Sequence, residues 1–103
     1  MEIVHPRCCG LDVHKKTVVA CVLLSQPDGS VDRQVRTFPT MTEDLLALSD
    51  WLSSLGVSHV ALESTGVYWR PVFNVLEDDE RTLLLVNPQH MRGGARQEDR
   101  RSR

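Results

Sequence analysis

A change in hydrophobic period near residue 41 divides this sequence and restricts the folds open to it. Before that point lie three short segments. Cys8 to Val13 is apolar with one acid, Thr17 to Leu24 is rich in β-branched residues, and Val31 to Phe38 alternates between two sets of positions. Such segments are typical of strands. The residues Gln26 to Ser30 (QPDGS) form a strong turn signal between the last two. Short connections of this kind predict an antiparallel meander.

Apolar residues recur at helical spacing after residue 41. Thr42, Glu43 and Asp44 suit the positive end of a helix, and Gly56 follows the last leucine at a position typical of a helix stop. Val57 to Leu62 (VSHVAL) predicts a strand. Since a helix separates this strand from the first three, we expect it to return through a parallel crossover.

The last apolar segments predict a second helix and a fifth strand. Pro71 is tolerated in a first helical turn, so we expect the helix to begin near Trp69 or Arg70. Arg81 to Val86 (RTLLLV) predicts the strand. The order β-β-β-α-β-α-β predicts an α/β mixed sheet. It is the order expected of an RNase H-like fold, although periodicity alone also allows other mixed sheets.

Length and composition narrow the class of protein. With 103 residues, the chain has room for one modest core. No apolar run reaches the roughly 18 residues that a membrane-spanning helix needs, so we expect no membrane partner. Three cysteines, two of them adjacent, do not make a disulfide framework and favour a reducing, cytoplasmic location.

Charge is distributed unevenly along the chain. Residues 1–91 carry seven Lys and Arg against twelve Asp and Glu, whereas residues 92–103 carry five Arg against two acids. By composition, the body is therefore not a basic surface for nucleic acid. The apolar pattern stops after Met91. We place the domain at residues 1–92 and predict a disordered, Arg-rich tail at residues 93–103.

Two carboxylates occupy equivalent places at strand ends. Asp12 ends an otherwise apolar segment, and Glu63 lies at the end of the fourth strand. An ionised carboxylate in such a segment is costly unless it is paired or binds a metal. If the two strands are neighbours, the carboxylates converge at the edge where α/β sheets place their sites. Two hard oxygen ligands suit Mg²⁺ or Mn²⁺, which support phosphodiester chemistry.

Spacing alone favours a simpler interpretation. The two acids can face solvent or pair with Lys15 and Arg70, since structural ion pairs are common. Residues 14–16 (HKK) can hold phosphate or form a polar turn, and the turn is the simpler interpretation. Tyr68 and Trp69 can stack on a base, but aromatic residues at the start of an apolar segment more often belong to the core.

Four segments together resemble a known family. They read GLDVHKKTVVACVL, RTFPTMTEDLLALSDWL, HVALESTGVYWRPVFNVLE and LLLVNPQHMR. In this order, they resemble the N-terminal domain of DEDD-type insertion-sequence transposases of the one-ten class, relatives of the pilin-inverting DNA recombinase. The resemblance covers about Gly10 to Arg92.

The resemblance implies a fold and an activity. The fold is expected to be similar to that of RuvC-type Holliday-junction resolvases, within the RNase H-like superfamily. The family cuts and joins DNA at a Mg²⁺-dependent site of four acids, of which Asp12 matches the first and Glu63 the second. The other two belong to a motif reading PGRKTDVKDA, and full-length members add a second domain with a catalytic serine. A structured guide RNA made by the parent element directs these enzymes.

The sequence departs from this family pattern after Arg92. It reads ARQEDRR where PGRKTDV is expected, and Asp99, near the expected acid, has the wrong neighbours. We therefore interpret the chain as a truncated transposase fragment, incomplete at its C-terminus and inactive in transposition alone. We expect it to bind nucleic acid weakly through Lys15, Lys16, Arg70 and the Arg-rich tail, with strong salt dependence.

Two alternative functions stay open. The chain can be a regulatory fragment that associates with intact transposase, or a small RNase H-like nuclease complete in itself, for which Asp99 is the late acid available. In the family, a helix after the third acid covers part of the sheet. Without it, we expect an exposed apolar patch and a homo-oligomer.

The departure itself has a testable form. Ala95 to Arg101 can be encoded by GCC AGG CAG GAA GAC CGA CGT. Read one base later, this string is CCA GGC AGG AAG ACC GAC GT, which together with the next base encodes the missing Pro-Gly-Arg-Lys-Thr-Asp-Val. We hypothesise that the gene slips frame just before this motif. Sequencing the genomic locus is expected to show these codons, and their absence would refute the hypothesis.

Overall fold

Three antiparallel strands begin the computed structural model of this protein, which describes residues 7–64, 66–77, 81–86 and 97–98. They are β1 (Arg7–Val13), β2 (Thr17–Ser25) and β3 (Val31–Pro39). The elements that follow are α1 (Thr42–Ser54), β4 (His59–Ser64), α2 (Trp69–Leu76), β5 (Thr82–Val86) and the two-residue β6 (Gln97–Glu98). The order predicted from the sequence is confirmed, and β6 is an addition to it.

The strands form one mixed sheet in the order β3-β2-β1-β4-β5-β6. β1 pairs antiparallel with β2 and parallel with β4, while β4 pairs parallel with β5. Each parallel step needs a crossover, which α1 supplies between β3 and β4, and α2 between β4 and β5. The predicted meander and the predicted parallel return of β4 are therefore both present.

Both helices pack against the same face of the sheet. Alternate residues of the central strands are buried beneath them: Leu11, Val13, Val60 and Leu62 are each at most 2% exposed. The helices add Leu45, Leu48, Leu52, Val72, Phe73 and Leu76 to the same buried cluster. Across the described residues, no helix is long and apolar enough to cross a membrane.

The other face of the sheet, called the open face below, is covered by neither helix. Leu23, Val31 and Val35 on this face are 39%, 54% and 51% exposed. Contiguous exposed apolar side chains are candidates for contact with another molecule. Leu23, Val31 and Val35 thus expose apolar surface on the open face. The patch expected where the family's later helix would lie stays a prediction.

Strand β4 begins two residues later than predicted, because Val57 belongs to the cap of α1. Gly56, with φ of 70°, donates its N–H to Ser53 O at 3.0 Å, and Val57 N donates to Leu52 O at 3.1 Å. These two bonds form a Schellman motif. Val57, 6% exposed, is thus buried as part of this cap and not as part of a strand. The shift places Glu63 inside β4, one residue before its end.

Arg81 precedes β5 instead of opening it. Its side chain is 4% exposed, and Nη2 donates to Ser49 O at 3.1 Å and to Ser53 Oγ at 2.7 Å. A buried guanidinium is costly unless its N–H groups are bonded. These contacts with α1 therefore fix the position from which β5 starts.

The predicted tail lies mostly outside the described residues. Gln97–Glu98 form β6, which pairs antiparallel with Leu85 and Val86 of β5, although the sequence predicts no structure there. A two-residue edge strand needs backbone bonds and no hydrophobic face, so hydrophobic patterning does not detect it. For the rest of residues 93–103, disorder and the domain boundary at residue 92 stay predictions.

The three cysteines are expected to differ in reactivity. Cys9 is 4% exposed in the core, and burial raises the pKa of its thiol to about 12. Cys8 and Cys21 are free thiols of intermediate exposure on the open face. Because the thiolate is the reactive form, an aromatic disulfide reagent should label these two in the native protein, and Cys9 only after unfolding. Rapid native labelling of all three cysteines in mass spectra would contradict the burial of Cys9.

Burial of Cys9 also sets a pH dependence. The folded-state pKa lies above the ordinary value of 9.0, so the neutral thiol stabilises the fold below pH 9.0. This contribution is lost as the pH rises through 9.0 toward about 12, because the unfolded state then releases the proton more readily. Denaturant titrations with and without Cys9→Ala should show a smaller alkaline loss of stability in the variant.

Candidate functional site

Asp12 and Glu63 lie side by side near the centre of the sheet. They are register partners in the parallel pairing of β1 and β4, and paired strands lie about 5 Å apart. Each follows a buried residue of its strand, Leu11 and Leu62, so both carboxylates project from the open face. The register thus brings together the two acids that the sequence singled out.

Asp12 has a partner that sequence analysis did not identify. His14 Nε2 lies 3.1 Å from Asp12 Oδ2, and both side chains are more than half exposed. Among the described side chains, the polar partner of Asp12 is therefore His14, and neither Lys15 nor Arg70 forms an ion pair with it. The spacing of two residues could have revealed the pair, because such residues of an extended chain share a face.

Lys15 and Lys16 belong to the turn between β1 and β2, at the same end of β1 as Asp12. The turn is tied to the end of β3, where Thr40 N donates to Lys16 O and Thr40 Oγ1 donates to Lys15 O, each at 3.1 Å. Both lysine side chains are exposed. The backbone that carries the two lysines is therefore held at the end of the sheet where Asp12 lies.

Helix α2 begins just beyond the end of β4 and brings Arg70 to the same end of the sheet. Arg70 is exposed, and its guanidinium carbon lies 5.4 Å from the centroid of the Trp69 ring. Trp69 makes an edge-on contact with Phe73, with 5.6 Å between ring centroids, and packs against the core. Tyr68 is 41% exposed. Trp69 is thus mainly a core residue, whereas Tyr68 is accessible for stacking on a base.

A shallow concavity of about 280 Å³ lies beside the two carboxylates on the open face. Gly10 and Ala61 line it and are register partners on β1 and β4. Val19 and Val86 line it from the neighbouring strands. Because the two central side chains are short, the surface dips next to the acids. The site therefore combines a weakly concave apolar surface with two carboxylates at one end.

Two carboxylates on one face can hold a hard divalent cation when water completes the coordination. Mg²⁺ in proteins is commonly bound by one or two carboxylates and keeps several waters. Asp12 and Glu63 fit this requirement, because both are exposed oxygen donors on adjacent strands. In residues 7–64, 66–77 and 81–86, no group of three or more His, Cys, Asp or Glu side chains is placed to hold a metal ion. A cage made of protein ligands alone is absent from this part of the chain.

Solved structures with a similar fold include RuvC of Thermus thermophilus. One RuvC structure is 12% identical to this chain, with a TM-score of 0.59, and the match covers 86% of this chain and 70% of that chain. RuvC in complex with a Holliday junction substrate is 11% identical, with a TM-score of 0.63, covering 86% and 69%. A Ppx/GppA family member from Aquifex aeolicus is 11% identical, with a TM-score of 0.55, covering 82% and 36%. The fold is therefore the RuvC-type, RNase H-like mixed sheet expected from the sequence.

Sequence comparison identifies the family. No curated protein sequence matches the chain. The family model described as Transposase (DEDD_Tnp_IS110) matches residues 9–103, a range that includes the segment after residue 92. Since this match spans almost the whole chain and the fold is that of RuvC, the protein belongs to the DEDD transposase family.

Proposed function

We propose that this domain acts in DNA transposition, with Asp12 and Glu63 as two acids of a metal-dependent site for strand cleavage and joining. The observation that carries the proposal is the parallel register, which pairs the two acids on the open face. Membership of a transposase family supports DNA as the substrate. RuvC, which shares the fold, is bound to a Holliday junction in one of the similar structures.

The residues around the pair have separate tasks in this proposal. Asp12 and Glu63 would bind Mg²⁺ or Mn²⁺. Two such cations would supply activation of an attacking oxygen and stabilisation of the leaving oxygen of a phosphodiester. His14, 3.1 Å from Oδ2, orients the carboxylate of Asp12.

DNA would approach the end of the sheet where the acids and the basic residues meet. Lys15, Lys16 and Arg70 are exposed at this end and would contact phosphate oxygens. A guide RNA is part of the proposal through the family resemblance. Three free thiols are consistent with action in a reducing cytoplasm.

We also propose that the chain alone does not complete transposition. Two carboxylates without further acids bind metal weakly and do not stabilise both oxygens of the displaced phosphodiester. Association with intact transposase is the second candidate function, favoured by the exposed Leu23, Val31 and Val35 of the open face. A self-sufficient nuclease would need a further acid near the pair, and Asp99 lies outside the described residues.

Neutral isosteres of the two acids test the metal site. Asp12→Asn and Glu63→Gln should each remove detectable Mn²⁺ binding, because one carboxylate does not hold the ion in competition with water. Titrations followed by electron paramagnetic resonance measure the bound fraction. Asp50→Asn, which changes an exposed carboxylate of α1, is the matched control and should bind like the wild type.

The same preparations are then incubated with labelled branched DNA and Mg²⁺. We expect the wild-type chain to bind this DNA and leave its strands uncut. Undiminished Mn²⁺ binding by both isosteres would contradict the metal site. If the wild-type chain carries out strand transfer and this activity requires Asp12, the proposal that the chain is inactive by itself is wrong.

Salt dependence tests the basic residues. For duplex DNA, each phosphate contact contributes a slope of about −0.9 to the logarithm of affinity against the logarithm of salt concentration. Lys15→Ala, Lys16→Ala and Arg70→Ala should each weaken binding and reduce the magnitude of this slope by about 0.9, measured by fluorescence anisotropy. Arg33→Ala removes an exposed arginine at the other end of the strands and should leave the slope unchanged. If Arg33→Ala reduces the slope and the other three variants leave it unchanged, Lys15, Lys16 and Arg70 do not form the DNA-binding surface.

A further inference from the structure

The outer edge of β3 has no paired strand within the described part of the chain. β3 is the outermost strand on its side of the sheet, and no described residue pairs with its outer edge. A long edge strand with free N–H and C=O groups is a template for pairing with another strand. The charges and backbone orientation of β3 determine which strand this edge can accept.

Hydrogen bonds at both ends of β3 show which of its residues direct their backbone N–H and C=O groups toward the outer edge of the sheet. Gln26 N donates to Ser30 O at 2.8 Å, and Thr40 N donates to Lys16 O at 3.1 Å. Both bonds continue the β2–β3 register, so the even-numbered residues of β3 bond to β2. The outward N–H and C=O groups therefore belong to the odd-numbered residues Val31, Arg33, Val35 and Thr37. Pro39, which has no N–H, ends this series.

Antiparallel pairing of β3 with a copy of itself can place a two-fold axis at any residue from Arg33 to Thr37, because each choice sets outward groups opposite one another and keeps more than half of β3 paired. An axis at Arg33 or at Arg36 sets two guanidinium groups directly opposite, which is destabilising. An axis at Val35 or at Thr37 gives neither Asp32 nor Arg36 an opposite charge. An axis at Gln34 places Asp32 of each copy opposite Arg36 of the other.

We propose that a second copy of this chain pairs antiparallel with the outer edge of β3, with the two-fold axis at Gln34. The two Asp32–Arg36 pairs then occupy the positions where opposite side chains approach most closely, since these residues bond to β2 and not across the new interface. No like charges lie directly opposite each other, because the remaining pairs are Val31 with Thr37, Arg33 with Val35, and Gln34 with Gln34 of the other copy. The dimer has one continuous sheet, and the half-exposed valines of both copies join on its open face.

Charge exchange tests the pairing by sedimentation velocity of the full chain over a concentration series. Asp32→Lys sets like charges opposite each other twice in the dimer, so it should raise the dimer dissociation constant about tenfold. Arg36→Glu should act in the same direction. The double variant should return toward the wild-type value, because it restores both pairs in reverse order. A monomer at every concentration up to the millimolar range overturns the proposal, as does a dimer that the charge changes leave unaffected.

Crosslinking tests the register independently of Arg36, whose guanidinium also stacks on Phe38 and Trp51. In a chain with Cys8→Ser and Cys21→Ser, Gln34→Cys should form an intermolecular disulfide under mild oxidation. In this register, the two copies of residue 34 lie directly opposite each other and do not bond across the new interface. The Cα atoms of such a pair lie about 4.5 Å apart, which suits a disulfide.

Thr37→Cys in the same background is the matched control for the crosslink. The two copies of residue 37 lie about 20 Å apart in this register, so they should not join. The buried Cys9 is common to both proteins. Efficient crosslinking through Thr37→Cys, or none through Gln34→Cys in a chain that still dimerises, overturns the register.

Discussion

The parallel pairing of β1 with β4 is the constraint on which the rest of the structure depends. The chain can form it only by crossing over the sheet, which places α1 on the face that the two strands bury. Because side chains alternate along a strand, the register that buries Leu11 beside Leu62 also exposes Asp12 beside Glu63. A slip of β4 by one residue would turn Leu62 to solvent and Glu63 to the core. Hydrophobic burial therefore fixes the register that positions the acids.

Much of this architecture could be predicted from the sequence, because most elements carry a local signal. The start of α2 at Trp69 follows from Pro71, and β2 follows from its β-branched residues. The strand predicted from Val57 begins too early, because an apolar residue after Gly56 is as typical of a helix cap as of a strand. Arg81 could not be placed, because its burial depends on Ser49 and Ser53 of a helix distant in sequence.

The candidate site also has some features that local sequence signals predict and others that depend on contacts between distant residues. Asp12 and Glu63 lie at the same edge of the sheet because β1 and β4 are adjacent. The rule for crossover connections made this adjacency predictable. The contact between His14 and Asp12 was missed because residues 14–16 were interpreted together as a turn, although strand periodicity already pairs positions 12 and 14. The structure shows that the two acids lie together, whereas the assignment to the transposase family depends on sequence motifs and on the matching family model.

Gly10 shows how the open face acquires its shape. A Cβ atom added at this residue would meet no atom within 4 Å, and its φ is not positive. A glycine inside a strand is less favourable than alanine by roughly 0.5–1 kcal/mol, and in the described chain neither crowding nor a turn requires one here. The dip beside the carboxylates is therefore a property of two short side chains, Gly10 and Ala61, and not of the path of the backbone. Its depth can be altered one methyl group at a time while the strands stay in place.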